Sequence, residues 1–240
     1  MEDFLLKNYS LITSLVECLA AVTGLILYAK YRHTAVKYFI WFLVYLSICD
    51  FFSLYTFCIK NDGIFSFLEG TALVSNYWWT TLYWKIGAIL FFGFYYNQVL
   101  TNSIFKKIIK SSTYSFLLFS IGYILTHWQA YFKVFFPIIS VLGAIVIFMC
   151  SIFYFLEILL SDRILTFYRT LDFYISLAIF IWWLIVTPIV FYEIYGSHGD
   201  ENFRITRKLL YLIANVFMYL TFTFALMWCR PKGDVKPSLS

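Results

Sequence analysis

The chain has 240 residues, of which 62% are apolar or aromatic and only 13% are charged. Mean hydropathy is +0.80, and aromatic residues alone make up 23% of the sequence. A soluble domain carries about 25% charged residues and cannot hide this much apolar surface in its core. The composition therefore excludes a soluble globular protein and predicts an all-α, polytopic membrane protein. The net charge of +5 is small and unevenly spread, so it indicates membrane orientation rather than nucleic-acid binding.

Seven apolar runs are long enough to cross a bilayer, whose hydrocarbon core of about 30 Å needs roughly 20 helical residues. They lie at about 9–29, 38–59, 77–100, 112–130, 134–160, 173–195 and 208–229. The fourth and fifth come from one long run, which must fold back at its only polar interruption, between His127 and Lys133. We expect a single seven-helix transmembrane bundle over 1–229, followed by a short cytoplasmic tail, 230–240.

The distribution of Lys and Arg predicts which side of the membrane each connection faces. One side receives 6 of these residues, and the other receives 11, namely Lys30, Arg32, Lys37, Lys106, Lys107, Lys110, Arg163, Arg169, Arg230, Lys232 and Lys236. Because cytoplasmic loops carry the excess of positive charge, we expect the N-terminus outside and the C-terminus in the cytoplasm.

Three charged side chains fall near the centre of predicted spans: Glu17 in the first, Asp50 in the second and Lys85 in the third. An ionisable group at that depth costs roughly 2.5–3.5 kcal/mol on insertion scales, so these groups need partners or water. Each lies two to four residues from the midpoint of its span, and all three displacements point outward. At 1.5 Å per residue, they share a layer roughly 3–5 Å outside the bilayer centre.

The seventh span adds uncharged polar groups to this layer. Asn215 falls at the same depth, and Tyr211 and Tyr219 lie four residues to either side of it, on the same helix face. Two interpretations remain open. The six residues line a polar cavity that is open to the outside and binds a ligand or ion, or they form an ion-pair network in which Lys85 bridges Glu17 and Asp50.

No sequence motif for catalysis is present. The chain has no glycine-rich phosphate loop, no His-Glu-x-x-His and no Gly-x-Ser-x-Gly. Only three histidines occur, and His33 is predicted on the opposite side from His127 and His198, which argues against a zinc hydrolase. We therefore expect no enzymatic activity, no metal site and no cofactor.

The stretch from Leu25 to Tyr55 contains YAKYRHT at 28–34 and KYFIWFLVY at 37–45, leading to Asp50. It resembles small, uncharacterised seven-span bacterial inner-membrane proteins, mainly over the first two spans. The resemblance implies seven spans and a bacterial inner (plasma) membrane, and it brings no known activity with it.

The leading functional hypothesis is a sensor-like or accessory component, whose outer-half polar pocket acts through a separate protein partner in the membrane or cytoplasm. The basic cytoplasmic loops are then the contact surface, and they are also expected to bind anionic lipid headgroups. One alternative is a small-solute or proton-coupled transporter that uses Glu17, Asp50 and Lys85. The other is a structural subunit of a membrane complex.

Overall fold

The computed structural model describes residues 2–59, 65–161, 165–195 and 201–231. Within these ranges every regular element is helical. Seven long helices are α1 (Tyr9–Ile26), α2 (Val36–Ser53), α3 (77–99), α4 (Ser103–Thr126), α5 (Pro137–Leu159), α6 (Leu171–Tyr195) and α7 (Glu201–Trp228). Short helices at Glu2–Lys7, Tyr28–Tyr31 and Trp128–Tyr131 and short 3-10 turns complete the described chain.

In the described part of the chain, six helices are long and apolar enough to cross a membrane: Tyr9–Ile26, Val36–Thr56, Ser103–Thr126, Pro137–Leu159, Leu171–Tyr192 and Phe203–Trp228. The surface of α1 fits a lipid environment. Its exposed stripe consists of large apolar side chains, from Leu11 and Leu15 to Ile26, whereas its buried stripe is Glu17, Ala20, Ala21 and Gly24. This inversion is typical of membrane helices, where small residues pack against neighbours and large apolar ones face lipid.

Helix α3 is not among those six because its hydrogen-bond pattern changes twice. Residues Tyr77–Thr80 and Ile89–Val99 are α-helical, and Thr81–Ala88 between them form a π-helix. A π-helix has a wider turn, is rare, and occurs frequently at functional sites. The third predicted span is therefore helical throughout 77–99, but it contains a distorted segment that its sequence does not predict.

Helix α3 lies at the centre of the bundle. It packs against α2, α4 and α5, and it reaches α6 through a hydrogen bond from Tyr95 to Asp172 and a ring contact between Trp84 and Trp182. The outer helices close around it, with α1 against α2 and α7, and α6 against α5 and α7. The two ends of α3 therefore connect nearly all helices of the bundle.

Two predicted helix starts differ from the structure by seven residues or more. The fourth span was expected at 112–130, but α4 begins at Ser103, because Asn102 caps it by accepting hydrogen bonds from the backbone N–H of Ile104 and Phe105. The seventh was expected at 208–229, but α7 begins at Glu201 and has polar residues before its apolar span. At α4, the helix start is therefore set by backbone capping rather than by hydropathy alone.

Part of the predicted topology falls outside the described residues. The tail beyond Pro231 and the basic residues Lys60, Arg163, Lys232 and Lys236 are in that part.

The packing of α3 on α4 gives a first testable prediction. A Cβ atom at Gly93 would lie 2.3 Å from Oγ1 of Thr113, a buried side chain on α4. We expect Gly93→Ala to lower the free energy of unfolding by about 1–3 kcal/mol through overpacking. The matched control is Gly122→Ala on α4, where a Cβ meets nothing within 4 Å and helix propensity favours alanine. Thermal unfolding in detergent micelles measures both, and equal melting temperatures for the two variants would contradict this packing.

Candidate functional site

The structure brings Glu17 of α1 and Asp50 of α2 together in the interior of the bundle, where their carboxyl groups face each other. Glu17 is only 1% exposed. No hydrogen bond of good geometry reaches its carboxyl oxygens from the described residues, although the carboxyl of Asp50 and the hydroxyl of Tyr219 lie within hydrogen-bonding range. A buried carboxyl group without such a partner is costly, and a second carboxyl beside it adds repulsion whenever both are ionised.

Two phenol groups complete the site from the other side. Tyr83 of α3 donates a hydrogen bond to Oδ1 of Asp50, and the hydroxyl of Tyr219 on α7 faces Glu17. Both tyrosines are buried. The site therefore joins side chains from α1, α2, α3 and α7, the same four helices that the sequence analysis selected.

Lys85 lies elsewhere. Its Nζ atom is 4.6 Å from the centroid of the Phe135 ring, close to the start of α5, and no ion pair joins it to Glu17 or to Asp50, all three of which are described residues. The expected bridge by Lys85 is therefore not formed. Side chains two positions apart on a helix do not face each other, and on α3 it is Tyr83, two residues before Lys85, that faces Asp50.

Asn215 and Tyr211 form a neighbouring cluster. Oδ1 of Asn215 accepts a hydrogen bond of 2.7 Å from Nε1 of Trp182 on α6, and the Tyr211 ring lies 6.4 Å from the Trp182 ring. Trp182 in turn contacts Trp84 of α3 at 5.3 Å between ring centroids. Of the three seventh-span residues in the prediction, only Tyr219 faces the carboxyl pair through its described contacts.

The predicted opening to the outside is closed at Glu17, because aromatic side chains pack around the site. The Trp79 ring lies 5.7 Å from the Tyr83 ring, and Nε1 of Trp79 donates a 3.0 Å hydrogen bond to the carbonyl of Cys49. Asp50 is only half-buried. Tyr9, the first residue of α1, is within electrostatic reach of both Asp50 and Arg207. Asp50 is therefore the more accessible member of the carboxyl pair.

A second polar region lies at the other end of the bundle. A cavity of about 260 Å³ is lined there by Tyr31, His33, Gln98, Thr170, Asp172 and Arg230, among others. Asp172 is 4% exposed and accepts a 2.6 Å hydrogen bond from the hydroxyl of Tyr95. Between this region and the Glu17 site lies an aromatic layer, in which the Phe39 ring is 4.9 Å from Phe222 and 6.1 Å from Tyr95.

The sequence analysis missed Tyr83, Trp182 and Asp172. Tyr83 is one of 20 tyrosines, and nothing in its neighbourhood distinguishes it. Asp172 precedes the predicted sixth span by one residue, where an acid at a helix start has an ordinary role in stabilising the helix dipole. Only the burial of Asp172 marks it, and burial is not visible in an isolated sequence.

The described residues contain no group of three or more His, Cys, Asp or Glu side chains that is arranged to hold a metal ion. Comparison of the chain with protein-family models, with curated proteins and with solved structures finds no match.

The hydrogen bond between Tyr83 and Asp50 gives a second prediction. We expect Tyr83→Phe to lower the free energy of unfolding by about 1.5–3 kcal/mol, because a bond to a charged or partly charged carboxyl is lost in a buried site. Tyr77→Phe on the same helix is the control, since the Tyr77 hydroxyl makes no hydrogen bond within the described part of the chain. Chemical or thermal unfolding in micelles compares them, and an equally small effect of both substitutions would refute the contribution of this bond.

Proposed function

We propose that this chain is a sensor-like or accessory membrane protein with seven spans, its N-terminus outside and its C-terminus in the cytoplasm of a bacterial cell. Six helices meet the length and hydropathy of a membrane span. The seventh span in this proposal is α3, which is helical throughout 77–99 and central in the packing. An odd number of spans agrees with the excess of Lys and Arg on one side.

The observation that carries the proposal is the buried carboxyl pair of Glu17 and Asp50. Two facing carboxylates in an apolar bundle repel each other, so the pair needs a partner that neutralises its negative charge. The charge of the pair therefore depends on whether that partner is bound. Neutralisation changes the force between α1 and α2 and, through Tyr219, the contact of α1 with α7. A charge-sensitive site that joins several helices is suited to sensing.

The same two helices, α1 and α7, are fastened together at their cytoplasmic ends. The hydroxyl of Tyr31, just after α1, donates to the carbonyls of Leu226 and Cys229 at 3.0 and 2.8 Å. Nζ of Lys30 lies 3.4 Å from the carbonyls of Leu226 and Met227. Burial raises the pKa of Tyr31, so the phenol remains a hydrogen-bond donor at neutral pH. This connection, the Tyr31 clasp, offers a route from the carboxyl pair to the cytoplasmic face.

The cytoplasmic face also supports the expected contacts with a protein partner and with anionic lipid headgroups. Because α4 begins at Ser103, Lys106, Lys107 and Lys110 lie on its first two turns, and no acidic residue is in the first turn. Lys107 and Lys110 are exposed. Cations at a helix N-terminus oppose the helix dipole, so anionic phosphate groups nearby are favourable.

A proton-coupled transporter is the second candidate, and the cavity ending at Asp172 favours it. Transport needs polar groups on both sides of the membrane, and Asp172 supplies a buried acid on the side opposite Glu17. The aromatic layer of Phe39 and Phe222 would then be the barrier that opens during a transport cycle. Proteoliposome flux that is lost in Asp50→Asn supports this candidate over a sensor.

The sensor proposal makes a third prediction. We expect Glu17→Gln to slow hydrogen exchange at residues 226–231 by roughly threefold to tenfold, since relief of carboxylate repulsion tightens α1 against α7 by on the order of 1 kcal/mol. In a Tyr31→Phe background, which lacks the clasp, the effect of Glu17→Gln should disappear. Hydrogen–deuterium exchange with mass spectrometry in lipid nanodiscs measures both.

Glu69→Gln is the matched control for that experiment, because Glu69 is an exposed acid in the 65–76 segment. Exchange at 226–231 that responds equally to Glu69→Gln and Glu17→Gln, or to neither, contradicts coupling from the carboxyl pair. Gentle solubilisation should also recover a partner in a fixed ratio, and repeated recovery of the chain alone counts against the accessory role.

A further inference from the structure

We propose that the second polar region binds a phosphoethanolamine group, a zwitterion with a primary ammonium at one end and a phosphate at the other. The basis is the cavity of about 260 Å³ in that region and the opposite charges on its buried and exposed sides. The proposal is independent of the carboxyl pair, which lies beyond the aromatic layer of Phe39 and Phe222.

Four separate segments form the walls of this cavity. They are the connection after α1, the end of α3, the start of α6 and the residues after α7, at 31–36, 98–99, 170–172 and 230–231. The last two segments are joined by a backbone hydrogen bond of 3.3 Å from Arg230 to Arg169, and the Tyr31 clasp joins the first to α7. Pockets for drug-sized ligands measure about 300–1,000 Å³, so this cavity suits a smaller molecule or a single headgroup.

The buried side of the cavity carries the negative charge of Asp172. Among the described lining residues it is the single acid, and it is 4% exposed. The hydroxyl of Tyr95 donates a 2.6 Å hydrogen bond to its Oδ1, and Oγ of Ser176 donates a 2.8 Å bond to its backbone carbonyl. These bonds hold the carboxylate in place before a ligand arrives. A carboxylate accepts charge-assisted hydrogen bonds from an ammonium group, so the buried side suits the ammonium.

The exposed side of the cavity carries positive charge. Arg230 and His33 line it and are exposed, and Nε of Arg32 donates a 2.8 Å hydrogen bond to Nε2 of His33. A second guanidinium group therefore stands beside the rim. Guanidinium groups match the oxygens of a phosphate in geometry as well as in charge. A simple cation would meet this positive rim and a simple anion would meet Asp172, whereas a zwitterion satisfies both sides.

The experiment measures the melting temperature of the full chain in phosphatidylcholine nanodiscs, with free phosphoethanolamine as the probe. At 100-fold excess over its Kd, we expect the probe to raise the melting temperature by roughly 5–10 °C. Phosphocholine is the matched control, because its quaternary ammonium has no N–H to donate to Asp172, and it should bind at least tenfold more weakly.

A second arm separates the two sources of the same chemical group. Phosphatidylethanolamine replaces phosphatidylcholine in the nanodiscs, and no soluble probe is added. A rise in melting temperature in this arm identifies a lipid headgroup as the ligand, whereas a rise with the soluble probe alone identifies a free molecule.

Two variants form a matched pair for either arm. Arg230→Gln and Arg169→Gln each remove one exposed guanidinium, but only Arg230 lines the cavity, whereas Arg169 lies 5.4 Å from the Tyr168 ring centroid. We expect Arg230→Gln to weaken the apparent affinity roughly threefold to tenfold and Arg169→Gln to leave it unchanged. Asp172→Asn should weaken it at least tenfold, and the arginine pair keeps the test valid if Asp172→Asn does not fold.

Three results overturn the proposal: no stabilisation in either arm, equal affinity for phosphoethanolamine and phosphocholine, and equal effects of the two arginine variants. The effect of Glu17→Gln on hydrogen exchange at 226–231 is measured without the probe and does not depend on these results. Failure of this binding site is therefore distinguishable from failure of the proposed function.

Discussion

Repulsion between two carboxyl groups in an apolar interior is the constraint around which one end of this bundle is built. Glu17 and Asp50 face each other with phenols beside them and no lysine between them. One ionised group near the bilayer centre costs roughly 2.5–3.5 kcal/mol, more than a typical hydrogen bond returns. Apolar residues at both positions would avoid this cost, and the proposed sensing role rests on their absence here.

Helix α3 links this pair to the rest of the protein. Its π segment carries Tyr83, which bonds Asp50, and its C-terminal half carries Tyr95, which bonds Asp172 at the second polar region. Between the two ends, Phe39 and Phe222 separate the polar regions. A transporter would have to open this aromatic layer during its cycle. In a sensor the layer would stay closed, and the signal would pass through α1, α7 and the Tyr31 clasp.

The sequence was sufficient for the class of fold and for part of the site. Hydropathy located the apolar helices, and the depth argument placed Glu17 and Asp50 in one layer, because depth depends only on counting residues along a helix. Tyr219 was added because it shares a helix face with Asn215. The sequence did not predict the surroundings of Lys85 and Asn215 or the start of α4. Rotation around α3 depends on its π segment, and the start of α4 depends on capping by Asn102, neither of which changes the hydropathy. Tyr83 and Asp172 acquire their roles only through contacts between distant segments.

A double-mutant cycle on Glu17→Gln and Asp50→Asn, measured by reversible unfolding in nanodiscs, tests the facing of the two carboxyls most directly. If they face each other, either substitution relieves the same repulsion. The effect of the double variant on the free energy of unfolding should then differ from the sum of the single effects by about 1–3 kcal/mol. Additivity within about 0.3–0.5 kcal/mol would show that the two groups do not interact, and it would contradict the site described for this bundle.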